Sequence, residues 1–117
     1  TLVGKFKDIL GSRIADVRVT ARLIDSPARL IDKEGSMDQE VQRVYRMLQK
    51  EFDAPEKVLE INPRHPILKK LSENPDGEIQ KMIVEQIFED ALMIEGLHPD
   101  PAGMIQRIQE IMKAALK

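Results

Sequence analysis

Cysteine and tryptophan are absent from this sequence, and aromatic residues of all kinds make up only 3% of it. Without cysteine there is no disulfide framework, no thiolate metal ligand and no sulfur nucleophile, which fits a reducing cytoplasm. With three Phe and one Tyr, the chain has no aromatic platform for single-stranded nucleic acid. The two histidines, His65 and His98, stand too far apart to read as a paired ligand motif. No apolar run approaches the roughly 20 residues of a transmembrane helix, and no signal-peptide pattern opens the chain. Nor does charge of one sign prevail: 18 Lys and Arg against 20 Asp and Glu leave a formal net charge of -2. Nothing in that balance attracts a polyanion. A nucleic-acid-binding regulator therefore stands only as a counter-reading, and Lys69-Lys70 reads as a solvated helix face. A Gly-rich phosphate loop, a His-Glu metal motif and a serine beside a plausible histidine base are missing too. No catalytic residue, metal site or cofactor is expected, and the carboxylates spread over exposed helix faces.

What is present is a helical and strand periodicity long enough, over 117 residues, for one domain with a sizeable core. Leu2, Val3, Phe6, Ile9 and Leu10 recur at helical spacing, and Gly11 follows them as a terminating glycine would. From Val17 the period becomes two: Val17, Val19, Ala21 and Leu23 alternate with Arg18, Thr20 and Arg22, a strand buried on one face. Asp25-Ser26-Pro27 turns the chain, Ala28 to Asp32 returns as a second strand, and Lys33-Glu34-Gly35 reads as a loop. Ser36 and Gln39 have the spacing of a capping box, after which Met37, Val41, Val44, Tyr45, Leu48 and Phe52 form a helical stripe ended by Pro55.

Val58 to Ile61 suits a third strand, which Asn62-Pro63 stops because proline has no N–H to donate. Pro66 fits the first turn of a helix, with Ile67, Leu68 and Leu71 facing the sheet, and His65 reads either as a site residue or as the buttress of this corner. Asn74-Pro75-Asp76-Gly77 is a turn. The longest helix follows, from Glu78 to about Glu95, with Ile79, Met82, Ile83, Ile87, Phe88, Ala91 and Leu92 on one side and Val84, Met93 and Ile94 widening it. So broad a stripe asks for two packing partners, one of them a second chain. Gly96 ends that helix, Asp100 and Pro101 suit the N-cap and first position of the next, and Met104, Ile105, Ile108, Ile111, Met112, Ala115 and Leu116 make a seam to the last turn. The pattern predicts an α+β fold, a small three-stranded mixed sheet covered by helices and followed by a helical subdomain.

The corner Leu59-Glu60-Ile61-Asn62-Pro63-x-His65-Pro66 resembles a run in the C-terminal domain of the heat shock protein 90 family of chaperones. Arg18-x-Thr20-x-Arg22-Leu23-x-Asp25-Ser26-Pro27-Ala28 is similar to a second run of that domain, in the right order and at a similar separation. The resemblance covers essentially the whole chain but one domain of a much larger protein. It implies a single C-terminal dimerisation domain, with residues 1–76 holding the sheet and its helices and 77–117 the dimer helices. The last two helices would form an intermolecular four-helix bundle, with Ile87, Leu92, Met104, Ile105, Ile108, Ile111, Met112 and Leu116 as interface.

The resemblance also implies a client-binding helix that presents Met37, Val41, Val44 and Tyr45 to unfolded protein, although the stripe by itself serves equally as core. Val41 stands where a second methionine is common in bacterial members, and Tyr45 where phenylalanine is common, so the surface stays apolar with less plasticity. The acidic Met-Glu-Glu-Val-Asp run of eukaryotic cytosolic members does not occur, which favours the bacterial branch. The expected role is homodimerisation domain of an ATP-dependent cytoplasmic chaperone, with ATP and Mg bound in a domain outside this sequence. Its partners are a second copy and unfolded clients, not nucleic acid or membrane. A helical dimerisation scaffold without client binding is the alternative.

Overall fold

A computed structural model describes residues 1–20, 22, 25–32, 54–98 and 100–117. Helix α1 (Leu2–Leu10) opens it, capped by the Thr1 hydroxyl, which accepts from the Gly4 N–H at 3.0 Å. A short 310 turn (Gly11–Arg13) leads into strand β1 (Ile14–Val19), and strand β2 spans Ala28–Asp32. Strand β3 (Ala54–Ile61) is followed by helices α2 (Pro66–Glu73) and α3 (Gly77–Ile94), a 310 turn (Pro101–Met104) and α4 (Ile105–Ala115). The capping box at Ser36 and Gln39, the helix that follows it, the Lys33-Glu34-Gly35 loop, and Ala21 and Leu23 lie outside the described residues.

The three strands run in the order β1-β3-β2, with β1 parallel and β2 antiparallel to β3, the mixed sheet that the long connection permits. β1 and β2 are consecutive in sequence but do not pair, because β3 lies between them. β3 also begins earlier than Val58 and includes Pro55. Proline is tolerated inside a central strand only where the ladder is already broken. The pairing with β1 meets that condition: Ile14 faces Ala54 and Asp16 faces Val58, so the register shifts across this stretch. The predicted alternation in β1 holds at Val17, which is buried, and fails at Val19, which is exposed. Val19 ends an edge strand. The buried position passes to Thr20, whose N–H donates to the Ile61 carbonyl and whose hydroxyl oxygen accepts from the Arg22 N–H.

Leu59 and Ile61 of β3, Leu30 and Ala28 of β2 and Val17 of β1 share the face that packs against Phe6 and Leu10 of α1 and Val84, Ile87, Phe88, Ala91 and Leu92 of α3. Cross-strand ion pairs tie β2 to β3, Arg29 to Glu60 at 2.7 Å and Lys57 to Asp32 at 2.5 Å, each between residues directly opposite in the ladder. Lys7 at 3.1 Å and the Val17 N–H hold the Asp16 carboxyl below the usual carboxylate range, which keeps the link between α1 and β1 ionised at neutral pH.

Beyond β3 the chain turns a corner that its own side chains satisfy. The Asn62 side chain accepts from the Arg64 N–H at 3.1 Å, and His65 Nδ1 accepts from the Ile67 N–H at 3.1 Å. His65 is therefore the N-cap of α2, with Pro66 in the first turn where its missing N–H costs nothing. Leu68 and Leu71 are buried as expected, whereas Ile67 is exposed, because the first turn of α2 projects past the core. Asp76 caps α3 by accepting from the Glu78 and Ile79 N–H groups.

Gly96, at φ 70°, ends α3 in a Schellman motif. The Leu97 N–H donates to the Leu92 carbonyl at 2.8 Å and the Gly96 N–H to that of Met93 at 3.0 Å. Leu97 folds into the core beside Leu92, the apolar contact that accompanies this motif. Gly96→Ala should cost about 1–2 kcal/mol, since a side chain pays that much for a left-handed backbone. Gly77→Ala, in the first turn of α3 with open space around its Cα, should be neutral or stabilising by up to about 1 kcal/mol. The urea unfolding midpoint of Gly96→Ala should fall, and that of Gly77→Ala should stay at the wild-type value or rise.

Candidate self-association surface and the polar junction beneath it

Helix α3 spends one side on the sheet and has α4 on another. Asp100 and Pro101 open the approach to α4, but as a 310 turn: the Asp100 carbonyl accepts from the Gly103 N–H, and its side chain makes no capping bond. Met104 is buried at the end of that turn, and α4 itself contributes no fully buried side chain. Arg107, Ile108, Ile111 and Ala114 share its inward side and are all half-buried. Ile105, Met112 and Leu116, at spacings of seven and four, share the outward side. They are 51%, 55% and 84% exposed.

The eight residues expected at an interface therefore separate into three groups. Ile87, Leu92 and Met104 are buried inside this chain and have almost no surface to offer a partner. The reason is that α3 must cover a sheet of only three strands, so its most apolar line is consumed there. Ile108 and Ile111 face inward against the rest of the chain with part of their surface free, while Ile105, Met112 and Leu116 remain in water. Met93 and Ile94, at the end of α3, are also exposed.

A polar junction joins α3 to α4 below this stripe. Glu89, only 8% exposed, accepts from His98 Nε2 at 2.7 Å and from Arg107 Nη2. His98 Nδ1 accepts from the Asp100 N–H at 3.1 Å, which places the ring proton on Nε2, where it points to Glu89. Arg107 Nη1 donates to Gln86 Oε1 at 3.2 Å, and the Gln86 amide donates to Asp90 at 2.8 Å. A second arginine works one turn earlier on α3. Arg13 donates to Glu85 at 3.1 Å and to the carbonyls of Ile9 and Leu10, so it closes the end of α1 and ties it to α3. Sequence reasoning missed this arrangement. Its trace in the sequence is Glu85 and Glu89, two acids one helical turn apart on the border of an apolar stripe, each needing a cation that only the fold supplies.

Among the described residues, no group of three or more His, Asp or Glu side chains is placed to hold a metal ion, and no helix is long and apolar enough to cross a membrane. Lys69 and Lys70 are exposed on α2. Met37, Val41, Val44 and Tyr45 lie outside the described residues. The separation of core from surface is directly measurable. Leu92→Ala should cost about 2–5 kcal/mol of folding stability, and Leu116→Ala should stay within about 0.5 kcal/mol for the unassociated chain, both by chemical denaturation at high dilution.

Known proteins are similar to this chain along nearly its whole sequence. The chain is 39% identical over 118 residues to the chaperone protein HtpG of Chlorobium phaeovibrioides, covering 97% of this chain and 19% of that protein. It is 36% identical to the HtpG of Oleidesulfovibrio alaskensis, covering 98% of this chain and 19% of the relative, and 36% identical to that of Cupriavidus metallidurans, covering 95% and 18%. The chain thus spans about a fifth of the length of the curated relatives it matches. The family described as Hsp90 protein matches residues 1–117, every position of the sequence, and the chain belongs to that family.

Proposed function

We propose that this chain is the C-terminal homodimerisation domain of an ATP-dependent molecular chaperone, and that the outward stripe of α4 is the centre of its interface. The observation that carries the reading is the exposure of Ile105, Met112 and Leu116 on one face of a helix that buries no side chain completely. Each such side chain left in water forgoes roughly 1.5–3 kcal/mol of burial. Met93 and Ile94 add to the same apolar supply. A two-fold axis would set each stripe against its own copy and close the seam without leaving an unpaired surface. Four helices, α3 and α4 from each chain, would then form the bundle. Nucleotide hydrolysis belongs, in this reading, to parts of the full-length protein outside this sequence.

The chain should sediment as a dimer at tens of micromolar. Ile105→Glu or Met112→Glu, which places a carboxylate in the seam, should yield a folded monomer with unchanged circular dichroism. A monomeric wild type at that concentration would overturn the proposal.

Client binding is the second part of the proposed role. It rests on the stripe Met37, Val41, Val44 and Tyr45, whose flexible thioether and amphipathic ring suit adaptable apolar contacts. Met37→Ser with Tyr45→Ser should weaken suppression of client aggregation while costing under about 1 kcal/mol of stability. A loss of about 3 kcal/mol or more would assign the stripe to the core and leave a dimerisation scaffold alone.

A further inference from the structure

Helix α4 is held in an unusual way. Its N-terminal end is anchored by Met104 and by the junction of Arg107 with Glu89 and Gln86. Its C-terminal half covers an apolar groove of about 360 Å3, in which Ile111 and Ala114 face Ile67, Leu71, Ile79 and Ile83. Close packing over that half would fix the direction of the helix through many short contacts, but an open groove removes partner atoms and with them the restoring force. What remains to set the angle is directional. A guanidinium forks to two acceptors on successive turns of α3, and one of these, Glu89, is fixed in turn by His98, whose side chain is 1% exposed.

We infer that Glu89 and Arg107 are positioning residues that set the angle of α4 on α3, and through it the affinity of the outward stripe for a second copy. This deepens the dimerisation reading and rests on it for its functional consequence. Neither residue belongs to the outward stripe. Glu89 lies below the surface, and Arg107 lies on the inward side of α4 with Ile108 and Ile111. A Glu89 carboxylate without Arg107 keeps His98 as a donor but has lost the guanidinium charge beside it, and an Arg107 without Glu89 keeps, among the described residues, its bond to Gln86. Loss of Glu89 removes one of the two forked bonds and loss of Arg107 removes both, and in either case α4 can swing about Met104. The side-chain amide of Gln86 also donates toward the Met104 sulfur at 3.5 Å, so the anchor and the junction share one residue.

The test compares Glu89→Gln, Arg107→Met, the double variant and the milder Arg107→Lys, each in the 117-residue chain. Dimer dissociation constants come from sedimentation, and amide exchange is followed separately in residues 105–116 and 80–92. Each of the first two variants should weaken the dimer about tenfold or more and accelerate exchange in 105–116 by a similar factor, while 80–92 keeps its protection. The double variant should be no weaker than the worse single one, as two residues acting through one contact require. Arg107→Lys, which keeps the charge and loses the fork, should fall between wild type and Arg107→Met. Dissociation constants within threefold of wild type for both single variants would overturn the inference. So would equal acceleration of exchange in both segments, which would mark general destabilisation. If wild type proves monomeric, the dimer reading fails by itself, and selective loss of protection in 105–116 still decides whether the junction positions α4.

Discussion

Strand β3 is bonded along both edges, and the arrangement of the other elements follows from that double pairing. A central strand buries its side chains most completely, and Val58, Leu59 and Ile61 are all but inaccessible. The parallel partner β1 must be reached by a long connection, and the antiparallel partner β2 takes the other edge. Three strands make a narrow sheet. Its inner face is covered by α1 and α3 together, and α3 uses Val84, Ile87, Phe88, Ala91 and Leu92 for that purpose. The corner at Asn62 and His65 matters because it delivers the chain from the end of β3 directly into α2, with its backbone N–H groups capped by neighbouring side chains.

The consequence is felt at the far end of the chain. The sheet face is already covered by α1 and α3, and α4, an amphipathic helix, is left with its inner side half-buried and its outer side in water. Polar groups then take over a task usually performed by packing. Glu89 is buried at a cost in solvation that only a charged, well-aligned partner offsets, and Arg107 with His98 supplies that alignment. Such a junction adds little net stability compared with an apolar substitute, but it specifies one direction where apolar contacts would accept several. For a helix whose outer face is proposed to meet its own copy, direction is the quantity that counts.

Much of this was legible in one dimension. Each helix among the described residues was expected from 3.6-residue periodicity, and ends were marked by residues with a local reason to be there, Gly11, Pro66 and Gly96, while Asp76, expected only as part of a turn, is the N-cap of α3. The third strand was expected from its β-branched, apolar residues and the connection length permitted a mixed sheet, whereas the alternation expected from Val17 held at Val17 and failed at Val19. Two marks of local chemistry were displaced. Pro55 looked like a terminator and lies within β3, and Asp100 looked like a side-chain cap and supplies only its carbonyl.

The limit is physical. Caps, turns and amphipathic stripes are contacts between residues a few positions apart, so the sequence by itself determined them, along with the α+β class and the apolar surplus of the last two helices. Which apolar residues would be consumed by the core depended on how much sheet there was to cover. Leu92 disappears beneath the surface while Leu116, the same residue type on the following helical segment, stays in water, a difference set by distance from β3 and invisible in residue type. Likewise Arg13 meets Glu85 and Arg107 meets Glu89 across separations of 72 and 18 residues. Only the tertiary structure could decide those pairings, because a charge chooses its partner by position in space, and any of several arginines was chemically eligible.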